Sequence, residues 1–400
     1  MFVSIVGRTG VVALAAVLVV AVASKAQAPP EVSTIQSVAR KAMAQYHIKA
    51  LIVQVRSGGS DVYTAAFGES MSGVPATPQM HFRNGAMAFT YMSTMLLELV
   101  DQKKVTLDTK LSAFRPDLPY ADRITLKNLA NMTSGYADYV YQPEVLNGVT
   151  RDPFRQWLPE ELIRIGITKP MQFAPGTNWG YSHTNYVILG GVLEKITGMK
   201  LNDAMHKYIF DPMGLTQTEG FVTAYIPEPV LHAFSSEQRQ ELGVKPGVPF
   251  YEESTFWNPS WTTFYRAVQT TDITDMSKSM EAVGTGRLLS PSSFPAQVGP
   301  NLVGFGHASP KCHACQKNTT AFHYGLGIVI VGPWLTQVKS FAGCSATVGY
   351  LPVKKLTISV AVTYLPSAFD AHGNYKDGSV STFRALAGAL APNTLPNQKL

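Results

Sequence analysis

The run HFRNGAMAFTYMSTMLLELVDQKKVTLD, residues 81–108, constrains this chain more than any other stretch. From Ala86 to Val100 apolar side chains occupy nearly every face of a helix, and Phe89, Met92, Leu96 and Leu99 fall on one stripe. A helix that is apolar all round has to be enclosed by the rest of the fold. The spacing therefore predicts a buried central helix, and the remaining chain must supply the layers that cover it. With 400 residues, 46% of them hydrophobic and 15% charged, the chain is long enough for two packed subdomains.

The opening MFVSIVGRTGVVALAAVLVVAVASKAQAPP sets Arg8 before an apolar run from Val11 to Ala23, with Ala26-Gln27-Ala28 as a cleavage site. That run falls short of the about 20 residues that span a bilayer. Residues 1–28 are therefore expected to be an export signal, leaving no stable membrane span, with the mature chain secreted or in the periplasm or cell envelope. Cleavage after Ala23, or retention as a weak anchor, stays open, because Pro29 follows Ala28 directly. Without residues 1–28 the chain keeps 31 basic against 27 acidic side chains, a net charge of +4. The excess is scattered rather than gathered in a Lys/Arg block, and no motif favours nucleic acid as a partner.

Periodicity lays out the rest in outline. Residues 31–48 read as a helix, 50–58 and 61–69 as paired strands around Gly58-Gly59, and 160–165 as a short helix. Residues 324–332, 338–344 and 355–364 read as strands of an antiparallel sheet. Residues 379–390 read as a closing helix, and the last six residues are expected to fray.

Several stretches resemble, in order, the motifs of the serine β-lactamase-like hydrolases, the superfamily of class C β-lactamases, DD-peptidases (penicillin-binding proteins) and related esterases. They are FRNGAMAFT (82–90), ITLKNLANMTSGYADY (124–139), PGTNWGYSHTNYVILGGVLEKITG (175–198) and IFDPMGLTQTE (209–219). FWNPSW, GRLLSPSSF and YGLGIVIVG also have counterparts there. The resemblance implies an α/β (α+β) fold over residues 29–395. Its α/β subdomain, an antiparallel sheet flanked by helices, would come from about 31–80 and 320–395. A mostly helical subdomain would come from about 81–319, with a ligand cleft between the two.

The same resemblance exposes what is missing. The family opens its helix with Ser-x-x-Lys, three residues apart and so on one face; the amine there activates the hydroxyl at the helix N-terminus. Here Ala86 and Phe89 hold those places. A methyl and a benzyl group can neither attack nor accept a proton, and losing such a unit costs roughly 10⁶ in rate. The family's Tyr-x-Asn is Tyr181-Ser182-His183, which reads either as a surviving acid/base pair or as a ring packed with one hydrogen bond. The third motif, a basic residue, a small one and glycine, aligns with Gly343, Cys344 and Ser345, so that no cation is expected there.

These substitutions favour an exported, non-catalytic member of the superfamily. Its cleft would be formed by Ala86, Phe89, Tyr181, His183, Cys344 and Ser345, and would take a peptide, a cell-wall fragment or a small acyl ligand without a cofactor. The alternative is an active esterase- or peptidase-type hydrolase with a displaced nucleophile at Ser182, Cys344 or Ser345, assisted by Tyr181 or His183. One loop lies outside the resemblance: His307, Cys312, His313, Cys315 and His323 fall within 17 positions. They could ligate zinc, but in an oxidising compartment a Cys312–Cys315 disulfide is the simpler expectation, with no metal.

Overall fold

Strands from both ends of the chain meet in one sheet, which is what brings the two halves of the molecule together. A computed structural model describes residues 30–396; the export-signal reading of residues 1–28 lies outside the described residues. The elements used below are α1 (Pro30–Gln45), β1 (Ile48–Ser57), β2 (Ser60–Met71), β3 (Val74–Pro75) and α2 (Met87–Asp101). They continue with α3 (His183–Thr197), α4 (Ile273–Gly284), β4 (Phe322–Tyr324) and β5 (Val329–Val331). The last are β6 (Trp334–Phe341), β7 (Cys344–Leu351), β8 (Leu356–Tyr364) and α5 (Gly378–Leu390). The sheet is antiparallel throughout, in the order β3-β2-β1-β8-β7-β6-β5-β4, with β1 beside β8 joining the two ends of the chain.

Both faces of the central strands are covered, which is why their sequences run apolar without alternation. On one face Ile35, Ala39, Leu51, Val53, Val360 and Phe383 form a compact cluster beneath α1 and α5. On the other, a larger cluster joins the sheet to α2, α3 and α4. The four stripe residues of α2 lie inside it, none more than 3% exposed, and the helix runs as the sequence periodicity predicts.

Two details set the geometry at the start of α2. Gly85 adopts φ +57°, and a Cβ there would come within 2.5 Å of the Lys339 side chain on β6. Only glycine lets β6 lie so close. Asn84 is held from the other side: its amide donates to Gln269 Oε1 at 2.8 Å and its Oδ1 accepts from the Gln269 backbone at 3.1 Å.

The 338–344 stretch departs from its reading as one strand. The chain reverses at Ala342 (φ +44°) and Gly343 (φ +76°), so Lys339 lies near the end of β6, which stops at Phe341, and Ser345 near the start of β7, which begins at Cys344. Glycine at 343 is a backbone requirement, since a Cβ would sit 1.9 Å from the Phe234 carbonyl oxygen.

Candidate functional site

A cleft of about 230 Å³ opens where the N-terminus of α2, the segment entering α3, the 259–268 loop and β6 converge. Ala86, Phe89, Tyr181 and His183 all line it. Their separation in sequence is nearly 100 residues, and the fold brings them together because α3 packs directly along α2.

At the floor the Phe89 ring stacks on Tyr186 of α3, centroids 4.1 Å apart and planes 16° from parallel. The Tyr181 ring lies 6.0 Å away and the His183 ring 5.7 Å away, its plane 70° from that of Phe89. Tyr186 in turn shares a 2.7 Å hydrogen bond with Ser93, one turn further along α2. The position three residues after Ala86 is therefore an aromatic plug, packed by the same forces as the core behind it.

His183 carries a partner that sequence reading missed. Its Nδ1 lies 2.9 Å from Asp138 Oδ2, and that carboxylate also accepts from the Val140 backbone at 3.1 Å. The Asp138 side chain is almost fully buried. The two residues are 45 positions apart, and the signal that could have paired them is the short-range cap: Asp138 opens a 3₁₀ turn. Burial, and after it the nearby Asp138 charge, push the Tyr181 phenol well above its ordinary value. It stays protonated at neutral pH and serves as a donor rather than a base.

The structure corrects the third motif. Side chains alternate along a strand, and on β6 Gln337 and Lys339 face α2. Gln337 donates to Thr90 Oγ1 at 2.9 Å, and Lys339, 6% exposed, lines the cleft and donates to the Cys344 carbonyl at 3.0 Å. The cation expected to be absent is thus present, four residues ahead of the aligned Gly343. Gly343 itself sits in the hairpin turn and cannot carry a side chain into the cleft.

Cys344 and Ser345, both placed in the cleft by the sequence reading, are not among its lining residues. Cys344 is a free thiol, 5% exposed, packed in the core between the sheet and α2. Ser345 is fully buried on the opposite face, where its hydroxyl pairs with Tyr364 and with Asp377 Oδ1 at 3.0 Å. The alternation that turns Lys339 toward α2 turns Ser345 away from it. Ser182, also fully buried, leaves its hydroxyl unpartnered inside the protein rather than in the cleft.

Other lining residues were not singled out from sequence. Arg83, two residues before Gly85, is 4% exposed; its Nη2 donates to the Ala224 carbonyl at 2.7 Å, and its Nε has no protein partner. Burial pulls its guanidinium down to about 10, which still leaves it charged at neutral pH. Trp261 stacks on Phe341 across the cleft, centroids 5.9 Å apart. The indole Nε1 and the Thr263 hydroxyl are, like Arg83 Nε, buried without a protein partner.

The 307–323 loop contains the Cys312–Cys315 disulfide. Its two sulfurs pack against Gly180, where a Cβ would come within 3.0 Å of both, so the bridge braces the backbone that presents Tyr181. Among the described residues no group of three or more His, Cys, Asp or Glu is arranged to hold a metal ion.

An antiparallel sheet with helices on both faces, and a cleft at the N-terminus of a buried helix, define the serine β-lactamase and transpeptidase class of fold. A profile of the beta-lactamase family matches residues 35–380, and the chain belongs to that family. Among curated relatives, penicillin-binding protein 4 of Amycolatopsis lactamdurans is 29% identical over 182 residues, covering 44% of each chain. Esterase EstB of Burkholderia gladioli is 25% identical over 224 residues, covering 52% of this chain and 56% of its own. The chain thus spans about half the length of the curated relatives it matches. Among solved structures, the D-amino acid amidase of Ochrobactrum anthropi SV3 superposes with a TM-score of 0.73 at 18% identity, covering 90% of this chain and 98% of the amidase.

Proposed function

We propose that this chain is an exported, non-covalent binding member of the beta-lactamase family, whose cleft holds a small acyl or peptide ligand, or a cell-wall fragment, without forming an acyl-enzyme. The observation that carries the reading is the pair Ala86 and Phe89. A methyl group stands at the helix N-terminus, and the ring three residues on is stacked into the aromatic core rather than left exchangeable for an amine.

Among the described residues no serine or threonine lining the cleft is set up to replace the serine. Ser340 shares a 2.7 Å hydrogen bond with Tyr375, Thr262 donates to the Pro259 carbonyl at 2.6 Å, and Thr263 has no protein partner to take its proton. An activated nucleophile needs a base in contact. Ser182, Cys344 and Ser345 are buried away from the cleft, which argues against the displaced-nucleophile alternative.

The test is covalent labelling of the purified chain with a fluorescent penicillin and a fluorophosphonate. No labelling is expected with either, and stoichiometric labelling of any residue would overturn the reading. A residual ester hydrolysis that fell in His183→Ala or Tyr181→Phe would likewise restore an enzymatic role.

A further inference from the structure

The Cys312–Cys315 bridge is buried against the segment that enters α3 rather than set on the surface of its own loop. Cys312 is 2% and Cys315 5% exposed. A Cβ on Gly180 would lie 2.9 Å from Cys315 Sγ and 3.0 Å from Cys312 Sγ, and Gly180 forms an antiparallel backbone bridge with Cys315. The Gly180 N–H donates to the Met132 carbonyl at 3.1 Å, and the Ser182 N–H meets Met132 Sδ at 3.4 Å. Tyr181 sits between these two anchored residues and lines the cleft. The covalent state of the two sulfurs thus bears on the residue next to a cleft wall.

Three features mark the pair as exchangeable rather than as a fixed staple. The cysteines are only three positions apart, and the entropy that a cross-link removes from the unfolded chain grows with the loop it closes, so the whole fold draws little stability from this one. The flanking Lys311, His313 and Lys317 are exposed, and basic neighbours favour the thiolate through which disulfide exchange runs. Gln172 Oε1 lies 3.3 Å from Cys312 Sγ. A bridged sulfur has no proton to give that oxygen whereas a thiol has, so an acceptor for the reduced state is already in place.

We propose that Cys312–Cys315 is a redox-active site whose state sets the order of the backbone that presents Tyr181 to the cleft. The reductant is a dithiol. Its thiolate attacks one sulfur of the bridge, forms a mixed disulfide and releases the other sulfur as a thiolate; its second thiol then breaks the mixed disulfide. Two electrons and two protons pass to the pair, which becomes two thiols, and the dithiol becomes its own disulfide. Unbonded sulfurs must separate to van der Waals distance, and Gly180 leaves no room on its side, so either the loop carrying them withdraws or the 178–182 backbone yields. Both outcomes remove the packing that holds Gly180 on Met132. The coupling runs through the chain's own backbone, beyond the binding reading of the cleft, and stands whether or not an acyl-enzyme forms.

The experiment is hydrogen–deuterium exchange read by mass spectrometry on the full chain in three states: oxidised, reduced with dithiothreitol, and reoxidised with oxidised glutathione. Alkylation mapped by peptide confirms the state of Cys312 and Cys315 in each. Reduction of the folded protein is expected to speed exchange of the 178–182 amides about tenfold or more while α2, β1 and β8 keep their protection, and reoxidation should restore the slow rate. The double variant Cys312→Ala/Cys315→Ala should exchange like the reduced wild type; should it not fold, the reduced and reoxidised wild type still give the comparison. A pair that dithiothreitol reduces only after denaturation, unchanged exchange at 178–182 in the reduced protein, or a rise spread evenly over the whole chain would each overturn the proposal. None of these results bears on the absence of acyl-enzyme, which the labelling experiment tests separately.

Discussion

Replacing Phe89 by alanine tests whether the ring is a structural plug or merely lines an open site. The side chain is 3% exposed and stacked at 4.1 Å on Tyr186, with the Tyr181 and His183 rings 6.0 and 5.7 Å away. Truncating a buried phenylalanine costs about 3–5 kcal/mol, of which about 1 kcal/mol is the stacked pair. Phe89→Leu keeps most of the apolar volume and loses mainly the stack, so its cost should be about 1–2 kcal/mol. Urea unfolding followed by tryptophan fluorescence reads both. With a slope of about 3 kcal/mol/M for a chain of this size, the alanine midpoint should fall by roughly 1.3 M and the leucine midpoint by less than half of that. A loss below about 1 kcal/mol in Phe89→Ala would show that the ring is not integrated with α3. The argument that this position has become core, and with it the main support for a non-catalytic cleft, would then fail.

Three further outcomes follow from the same geometry. Gly343→His, which installs the basic residue of the family's third motif at the aligned position, should cost about 3 kcal/mol or more and add no cation to the cleft, because φ is +76° and a Cβ would lie 1.9 Å from the Phe234 carbonyl; a stable variant with a new ionisable group in the cleft would refute the turn assignment. Thiol titration should find one reactive group in the denatured, unreduced chain and none reacting quickly in the native one, since Cys312 and Cys315 are bridged and Cys344 is buried; three thiols without reductant would show the bridge is absent. Burial holds the phenols of Tyr91, Tyr181, Tyr186 and Tyr324 above their ordinary value, so the stability they contribute is complete below about pH 10 and is lost above it at about 1.4 kcal/mol per group per pH unit. Tyrosinate absorbance of these groups should therefore appear together with loss of circular dichroism in one alkaline step, and their titration in a still-folded protein would contradict the packing.

Much of the fold can be read directly from residue patterns because those patterns are local. The apolar circumference of residues 87–101 demands a buried helix, and the runs at 50–58 and 355–364 read as strands. A methyl and a phenyl group at positions 86 and 89 cannot do the chemistry of a hydroxyl and an amine in any conformation. The Cys312–Cys315 bridge, weighed against zinc on the same residues and preferred for an oxidising compartment, closes a loop of neighbours in the chain. These inferences survive because a helix turn, a strand's pleat and a three-residue loop depend on neighbours in the chain.

The polarity of the cleft does not depend on neighbours, and there only the tertiary structure could decide. Whether Lys339 or Ser345 faces α2 turns on where β6 ends and β7 begins, and a hairpin reversal at Ala342-Gly343 rather than further along puts them on opposite faces. His183 finds Asp138 across 45 residues, and Arg83, Trp261 and Thr263 are brought to one cleft from segments nearly 180 residues apart. No periodicity encodes such meetings, since each is set by packing of whole elements.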